Sequence, residues 1–237
     1  MTTSLYLAQD QVLSMIFSNL EPLGIPNCIL AGGTALARFY LHHRISYDLD
    51  FFVGTSHFSP EDLSIKLGRL GLHIQDLVLE EGGHWANQLH GYLNVGKEIV
   101  KISFVEDPLY GGMWPQTSFG EVVTEEINGL YHRKLRTVSG SGQSIQTQGG
   151  RQTARDLFDL YVLSGAVQPI SSFIQSINVQ GANFPVEPFC AKLLGMPWLS
   201  LFDEFESLER AQAYADVGWF DEVKPALTRQ AMTLQNL

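Results

Sequence analysis

Two carboxylates two residues apart, Asp48 and Asp50, open the run Asp48-Leu49-Asp50-Phe51-Phe52-Val53. No other feature constrains the chain as much. The run has the length and the aromatic content of a strand. Side chains alternate across a strand, so both carboxylates share a face and sit about 6–7 Å apart along it. Upstream, Cys28-Ile29-Leu30-Ala31 reads as a short buried strand and Gly32-Gly33-Thr34 as a turn. Ala35 to Leu41 follows with good helix formers, and His42, His43 and Arg44 lie in a polar loop before Asp48. The order is strand, turn, helix, loop, strand.

Two carboxylates on one face suit Mg²⁺ (or Mn²⁺), which takes oxygen ligands and completes its shell from water and phosphates. The Gly-Gly turn fits the same chemistry. Glycine allows positive φ and close approach of backbone N–H groups to an oxyanion, and a helix start adds free N–H groups and a positive dipole end. A lone Gly-Gly turn or a lone Asp-x-Asp is more often a tight turn or a solvated strand end. In one continuous stretch they point together to a metal–phosphate site, with Asp48 and Asp50 on the metal and Gly32, Gly33 and Thr34 on the phosphate.

Gly32-Gly33-Thr34-Ala35-Leu36, followed by His43-Arg44-Ile45-Ser46-Tyr47-Asp48-Leu49-Asp50-Phe51-Phe52, resembles the AbiEii-type branch of minimal nucleotidyltransferases. Lys134 and the segment Arg151-Gln152-Thr153-Ala154-Arg155-Asp156-Leu157-Phe158-Asp159-Leu160-Tyr161 carry the resemblance further. It covers roughly Ile29 to Leu163. It implies a nucleotide transferred from an NTP to RNA, with the tRNA end a leading candidate, or to a protein. It also implies a toxin of a toxin–antitoxin or phage-defence system, with a cognate antitoxin. On this resemblance Lys134 serves the phosphates, Arg155 does likewise or orients Asp156, Asp156 is an active-site acid, and Arg44 orients its loop or touches phosphate. One position departs from the pattern. The family's Val-Lys-x-Asp aligns with Val100-Lys101-Ile102-Ser103, so serine stands where a third carboxylate is usual. The alternative reading is therefore a non-catalytic nucleotide-binding protein with a degenerate site. A glycosyltransferase using Asp-x-Asp is disfavoured by the Gly-Gly-Thr turn and by the Lys and Arg-Asp blocks.

The chain of 237 residues carries a formal net charge of −10, which argues against extended duplex DNA as a partner. Five of its fifteen basic residues, Arg133, Lys134, Arg136, Arg151 and Arg155, cluster locally. That suits a nucleotide or one RNA end. Cys28 and Cys190 lie in apolar runs and read as buried free thiols. With no signal-like leader and no run of eighteen apolar residues, the expectation is a cytoplasmic protein with no membrane span.

The fold expectation is α+β: a small mixed sheet with flanking helices over residues 1–125, then a mainly helical region over 126–237. Residues 4–20 read as a packing helix. Ser59-Pro60-Glu61-Asp62 starts a helix that ends at Gly71. Residues 72–80 read as a strand, and 85–95 with 98–106 as a hairpin. Residues 108–119 read as a loop, and Thr124-Glu125-Glu126 as the start of the helix carrying Lys134. The segment from Ser139 to Gly150 reads as a mobile polar loop. Beyond Ile170 the chain reads as helices broken by Pro185, Pro188 and Pro197.

Overall fold

A computed structural model describes residues 2–54, 58–81, 86–107, 114–140 and 153–236. The polar segment from 141 to 152, Arg151 included, and residues 108–113 of the 108–119 stretch assigned to a loop lie outside the described residues, as does Trp85. The chain divides into two compact units: 1–39 with 46–129, and 40–45 with 130–237.

The first unit begins with helix α1 (Thr2–Phe17) and a single turn, α2 (Leu20–Leu23). Gly24 closes α2 at φ +77°, a conformation that glycine reaches without steric cost. Strand β1 (Cys28–Ala31), helical turn α3 (Gly32–Ala35) and strand β2 (Asp48–Val53) follow. The helix after α3 widens to π-type turns over Leu36–Leu41, where the sequence suggests a regular helix. Helix α4 (Pro60–Arg69) starts as its residues dictate: the Ser59 hydroxyl accepts from the Asp62 N–H, and Pro60 stands where no N–H is needed.

Five further strands complete the unit: β3 (Gln75–Glu80), β4 (Gln88–Val95), β5 (Glu98–Glu106), β6 (Gln116–Phe119) and β7 (Val122–Glu125). Among the described residues, seven strands form one mixed sheet in the order β3-β4-β5-β2-β1-β7-β6. β2 runs parallel to β5 and β1 to β7; the other neighbours are antiparallel. The period-two pattern sorts the faces. Leu49, Phe51, Ile102, Phe104, Leu89 and Leu93 are buried on one face. There Phe51 stacks on Phe104 with ring centroids 4.6 Å apart, and Phe17 of α1 covers Phe51. The other face carries Asp48 and Asp50.

Three elements differ from the sequence reading. β6 occupies part of the assigned loop; its polar Gln-Thr-Ser-Phe sequence is that of an exposed edge strand. Thr124 and Glu125 belong to β7, where Thr124 pairs with Leu30 and Thr117, and the helix starts only at Ile127. The strand assigned to 72–80 begins at Gln75 and is irregular between Gln75 and Val78, with Asp76 at φ +49°.

The second unit is helical: most of α5 (Ile127–Ser139), then α6 (Ala154–Ala166), α7 (Ile170–Val179), α8 (Val186–Leu194), α9 (Phe202–Glu206) and α10 (Lys224–Gln235). Its core is aromatic. Phe205 stacks on Trp219 at 4.8 Å and meets Phe158 edge-on, and the Trp219 indole N–H donates to the Trp198 carbonyl at 2.8 Å. Pro188 does not break α8. It lies in the first turn, where a backbone N–H has no helical partner. The segment from Tyr40 to Ile45 belongs to this unit through backbone bonds from Ile45 N–H to the Glu209 carbonyl and from Ala211 N–H to the His43 carbonyl, both 2.9 Å. Both cysteines are buried and free; burial pushes the Cys190 thiol up to about 11. Among the described residues no single helix is long and apolar enough to cross a membrane.

Candidate active site

The sequence-derived residues fall into two groups, one in each unit. In the first unit, β2 presents Asp48 and Asp50 on the same half-buried face, alternating with buried Leu49 and Phe51. Gly32 adjoins them. Its φ is +69°, and a Cβ placed there would fall 2.5 Å from Asp50 Oδ2. Glycine is thus required twice over at this position, for backbone conformation and for space. Gly33 beside it is half-buried. Thr34 is fully buried, and its hydroxyl donates to the Asp48 carbonyl. It locks the turn to the aspartate strand, so its proton is engaged inside the protein.

The neighbouring strand completes this face. In the parallel β2–β5 register, Asp48 lies beside Lys101 and Asp50 beside Ser103. Lys101 Nζ stands 3.6 Å from Asp48 Oδ2. Ser103 therefore occupies the position next to Asp50 where the resemblance leads one to look for a third acid. On β4, His90 is registered with Ser103, and its Nδ1 lies 3.0 Å from Ser103 Oγ. Neither Lys101 nor His90 was singled out from sequence as a site residue. The two-residue turn of the β4–β5 hairpin was the available signal for His90.

Among the described residues there is no cluster of three or more His, Cys, Asp or Glu side chains able to hold a metal. The donor set is two aspartates. Two hard oxygen ligands, with room kept open by Gly32, fit Mg²⁺, which ordinarily relies on one or two carboxylates plus water and substrate phosphates.

In the second unit, Arg44, Lys134 and Asp156 meet, and Asp159 joins them at the centre. Asp159 is fully buried. It accepts from Arg44 Nε at 2.7 Å and Nη2 at 2.8 Å, and pairs with Lys134 Nζ at 2.9 Å. His43 Nε2 lies 2.7 Å from its Oδ1. Lys134 also donates to Asp156 Oδ1 at 2.7 Å. Asp156 Oδ2 accepts from the Thr153 hydroxyl at 2.6 Å, while the Thr153 oxygen caps the Asp156 N–H. Burial opposes charge on Asp159, but Arg44 and Lys134 outweigh it and hold the carboxyl well below its usual range. Burial likewise works against Lys134, and Asp156 and Asp159 overcome it to raise its pKa. Asp156 is lowered despite its burial, chiefly by Lys134.

This geometry corrects the polar-loop reading at one residue. His43 is a buried member of the cluster and not a solvated loop residue; only His42 is exposed. Asp159, four residues beyond Arg155 on the helix, is buried at the centre of this network. Arg155, on the same helix, is half-buried.

The sequence pattern of the nucleotidyl transferase AbiEii toxin family, of type IV toxin–antitoxin systems, matches residues 17–178. The chain belongs to that family. The matched region takes in the sheet with its aspartates and the helices bearing Lys134, Asp156 and Asp159. Among solved structures, JHP933 from Helicobacter pylori is similar at 16% identity and a TM-score of 0.51, over 97% of this chain and 92% of that one. A provisionally named nucleotidyltransferase from H. pylori is similar at 16% identity and a TM-score of 0.54, over 99% and 93%. At that identity the likeness concerns the fold. No curated protein matches the sequence significantly. Membership in a type IV system implies a cognate antitoxin.

Proposed function

We propose that this family member transfers a nucleotide from an NTP to a hydroxyl of RNA, tRNA ends first among candidates, or of a protein. The observation that carries this reading is the Asp48–Asp50 pair on one open strand face, with Gly32 pressed against Asp50. Asp48 and Asp50 would hold Mg²⁺, which neutralises triphosphate charge and favours departure of pyrophosphate. The backbone N–H groups of Gly32 and Gly33 face the phosphates, and Thr34 fixes the turn. Lys101, registered beside Asp48, adds a positive charge on the same face. The buried Arg44–Asp159–Lys134–Asp156 network holds α5, α6 and the segment that leads directly into β2. Arg155 remains a candidate for phosphate.

Incubation with each α-labelled NTP, Mg²⁺ and total RNA or protein tests the reading. Transfer of label that is lost in Asp48→Asn supports it; no transfer with any NTP overturns it. One observation favours a second reading, a nucleotide-binding protein without chemistry: Ser103 beside Asp50 leaves this row one acid short. NTP binding without label transfer to any acceptor would establish that alternative.

A further inference from the structure

The place beside Asp50 that lacks an acid is part of a hydrogen-bonded chain with a fixed direction. Glu80, Gln88, His90 and Ser103 are linked across β3, β4 and β5. Gln88 Nε2 donates to Glu80 Oε2 at 3.1 Å. A carboxylate only accepts, so the amide nitrogen of Gln88 faces Glu80 and its oxygen faces the other way. That oxygen, Oε1, lies 3.0 Å from His90 Nε2, so Nε2 carries the ring proton. In the neutral imidazole Nδ1 is then the lone-pair nitrogen, and it accepts the Ser103 O–H across 3.0 Å. Ser103 is registered with Asp50, one strand spacing of about 4.8 Å away.

We propose that Ser103 and His90 act as a proton relay that replaces the third carboxylate in removing the proton from the acceptor hydroxyl. The inference rests on the nucleotidyl-transfer reading. In the step, the acceptor oxygen forms a bond to the α-phosphorus of the NTP, and the bond from that phosphorus to pyrophosphate breaks. The acceptor proton passes to Ser103 Oγ as the Ser103 proton passes to His90 Nδ1. The imidazolium so formed donates through both nitrogens, to Ser103 and to Gln88, whose amide is anchored on Glu80. Water takes the proton from His90 after pyrophosphate leaves.

Kinetics of His90→Gln and of His90→Gln/Ser103→Asp test this. Glutamine can accept the Ser103 hydrogen bond but cannot take a proton. General-base catalysis contributes about 10²–10⁴-fold, so His90→Gln should lower kcat by at least about 100-fold with KM for the NTP little changed. The second substitution puts a carboxylate beside Asp50 and should make His90 dispensable, recovering most of the lost kcat. A merely structural His90 predicts the opposite, because a further acid on this face would not repair a packing defect. The wild-type protein supplies a readout free of activity: ¹⁵N imidazole spectra, assigned by difference from His90→Gln, should show His90 protonated at Nε2 and bare at Nδ1. The reverse tautomer, full activity in His90→Gln, or no recovery in the double variant would each overturn the relay. Absence of transfer by wild type overturns the transferase reading and the relay with it, whereas wild-type transfer matched by His90→Gln sinks the relay alone.

Discussion

Asp159→Asn is the substitution with the largest consequence that the structure allows to be worked out. Asp159 is fully buried and satisfies two cations and a histidine at once. Arg44, Lys134, Asp156 and Asp159 balance as two positive and two negative charges. Asparagine keeps the shape but leaves one positive charge uncompensated, and turns an amide N–H₂ toward at least one existing donor. Breaking a buried pair on one side costs about 3–5 kcal/mol. For a chain of this size each kcal/mol is worth about 2–4 °C, so Tm should fall by about 6–20 °C. Intrinsic fluorescence suits the assay, because Trp198 and Trp219 both lie in the helical unit's core. Adding Lys134→Met removes the surplus charge, and the pair should cost less than the two single changes added together. A shift under about 2 °C for Asp159→Asn, or strict additivity in the cycle, would refute the buried-network argument.

Asp48→Asn and Asp50→Asn should each abolish Mg²⁺-dependent transfer while changing stability by less than about 1 kcal/mol, since both lie on a half-buried face and relieve like-charge repulsion; wild-type turnover in either would remove it from the metal site. Gly32→Ala should cost at least about 1–2 kcal/mol for its left-handed backbone and, by displacing Asp50, weaken Mg²⁺ binding measured by calorimetry; unchanged affinity would show that the turn tolerates a side chain. Acid titration should separate Asp159→Asn from wild type. Asp156 and Asp159 have lowered folded-state pKa values, so their stabilisation is present at neutral pH and is lost as pH falls below about 4 toward those values. The variant should show a shallower acid limb, and parallel limbs would contradict the assignment.

What the sequence makes legible follows from the range of the interactions. β1 and β2 emerge with their observed ends because each is a short apolar run closed by strong signals, the Gly-Gly turn and the aspartates. The start of α4 emerges because Ser59, Pro60 and Asp62 are local caps. β6 does not, because Gln116–Phe119 is polar and becomes a strand only by pairing with β7. Thr124 misleads for the same reason: it is a good helix cap locally, and its place beside Leu30 is set by chain far away. The buried charge cluster is harder still. Asp159 is separated by more than a hundred residues from Arg44 and His43, and an Arg155–Asp159 spacing of four residues looks the same on paper whether solvated or buried.

The Ser103 position shows where such reading can go further than motifs. A motif alignment registers only that an acid is missing. The hairpin supplies the rest. Gly96, at φ +64°, and Lys97 form the two-residue turn between Val95 and Glu98, and a turn that short fixes every cross-strand pair behind it. Counting back from the turn places His90 opposite Ser103 with no coordinates at all, and strand alternation puts Gln88 on the same face. The structure adds what counting cannot reach: the parallel register that sets Ser103 beside Asp50, and the Glu80 contact that fixes the direction of every hydrogen bond in the chain. A missing acid thus becomes a defined proton path, with His90 at its far end as the group whose substitution decides whether the path is used.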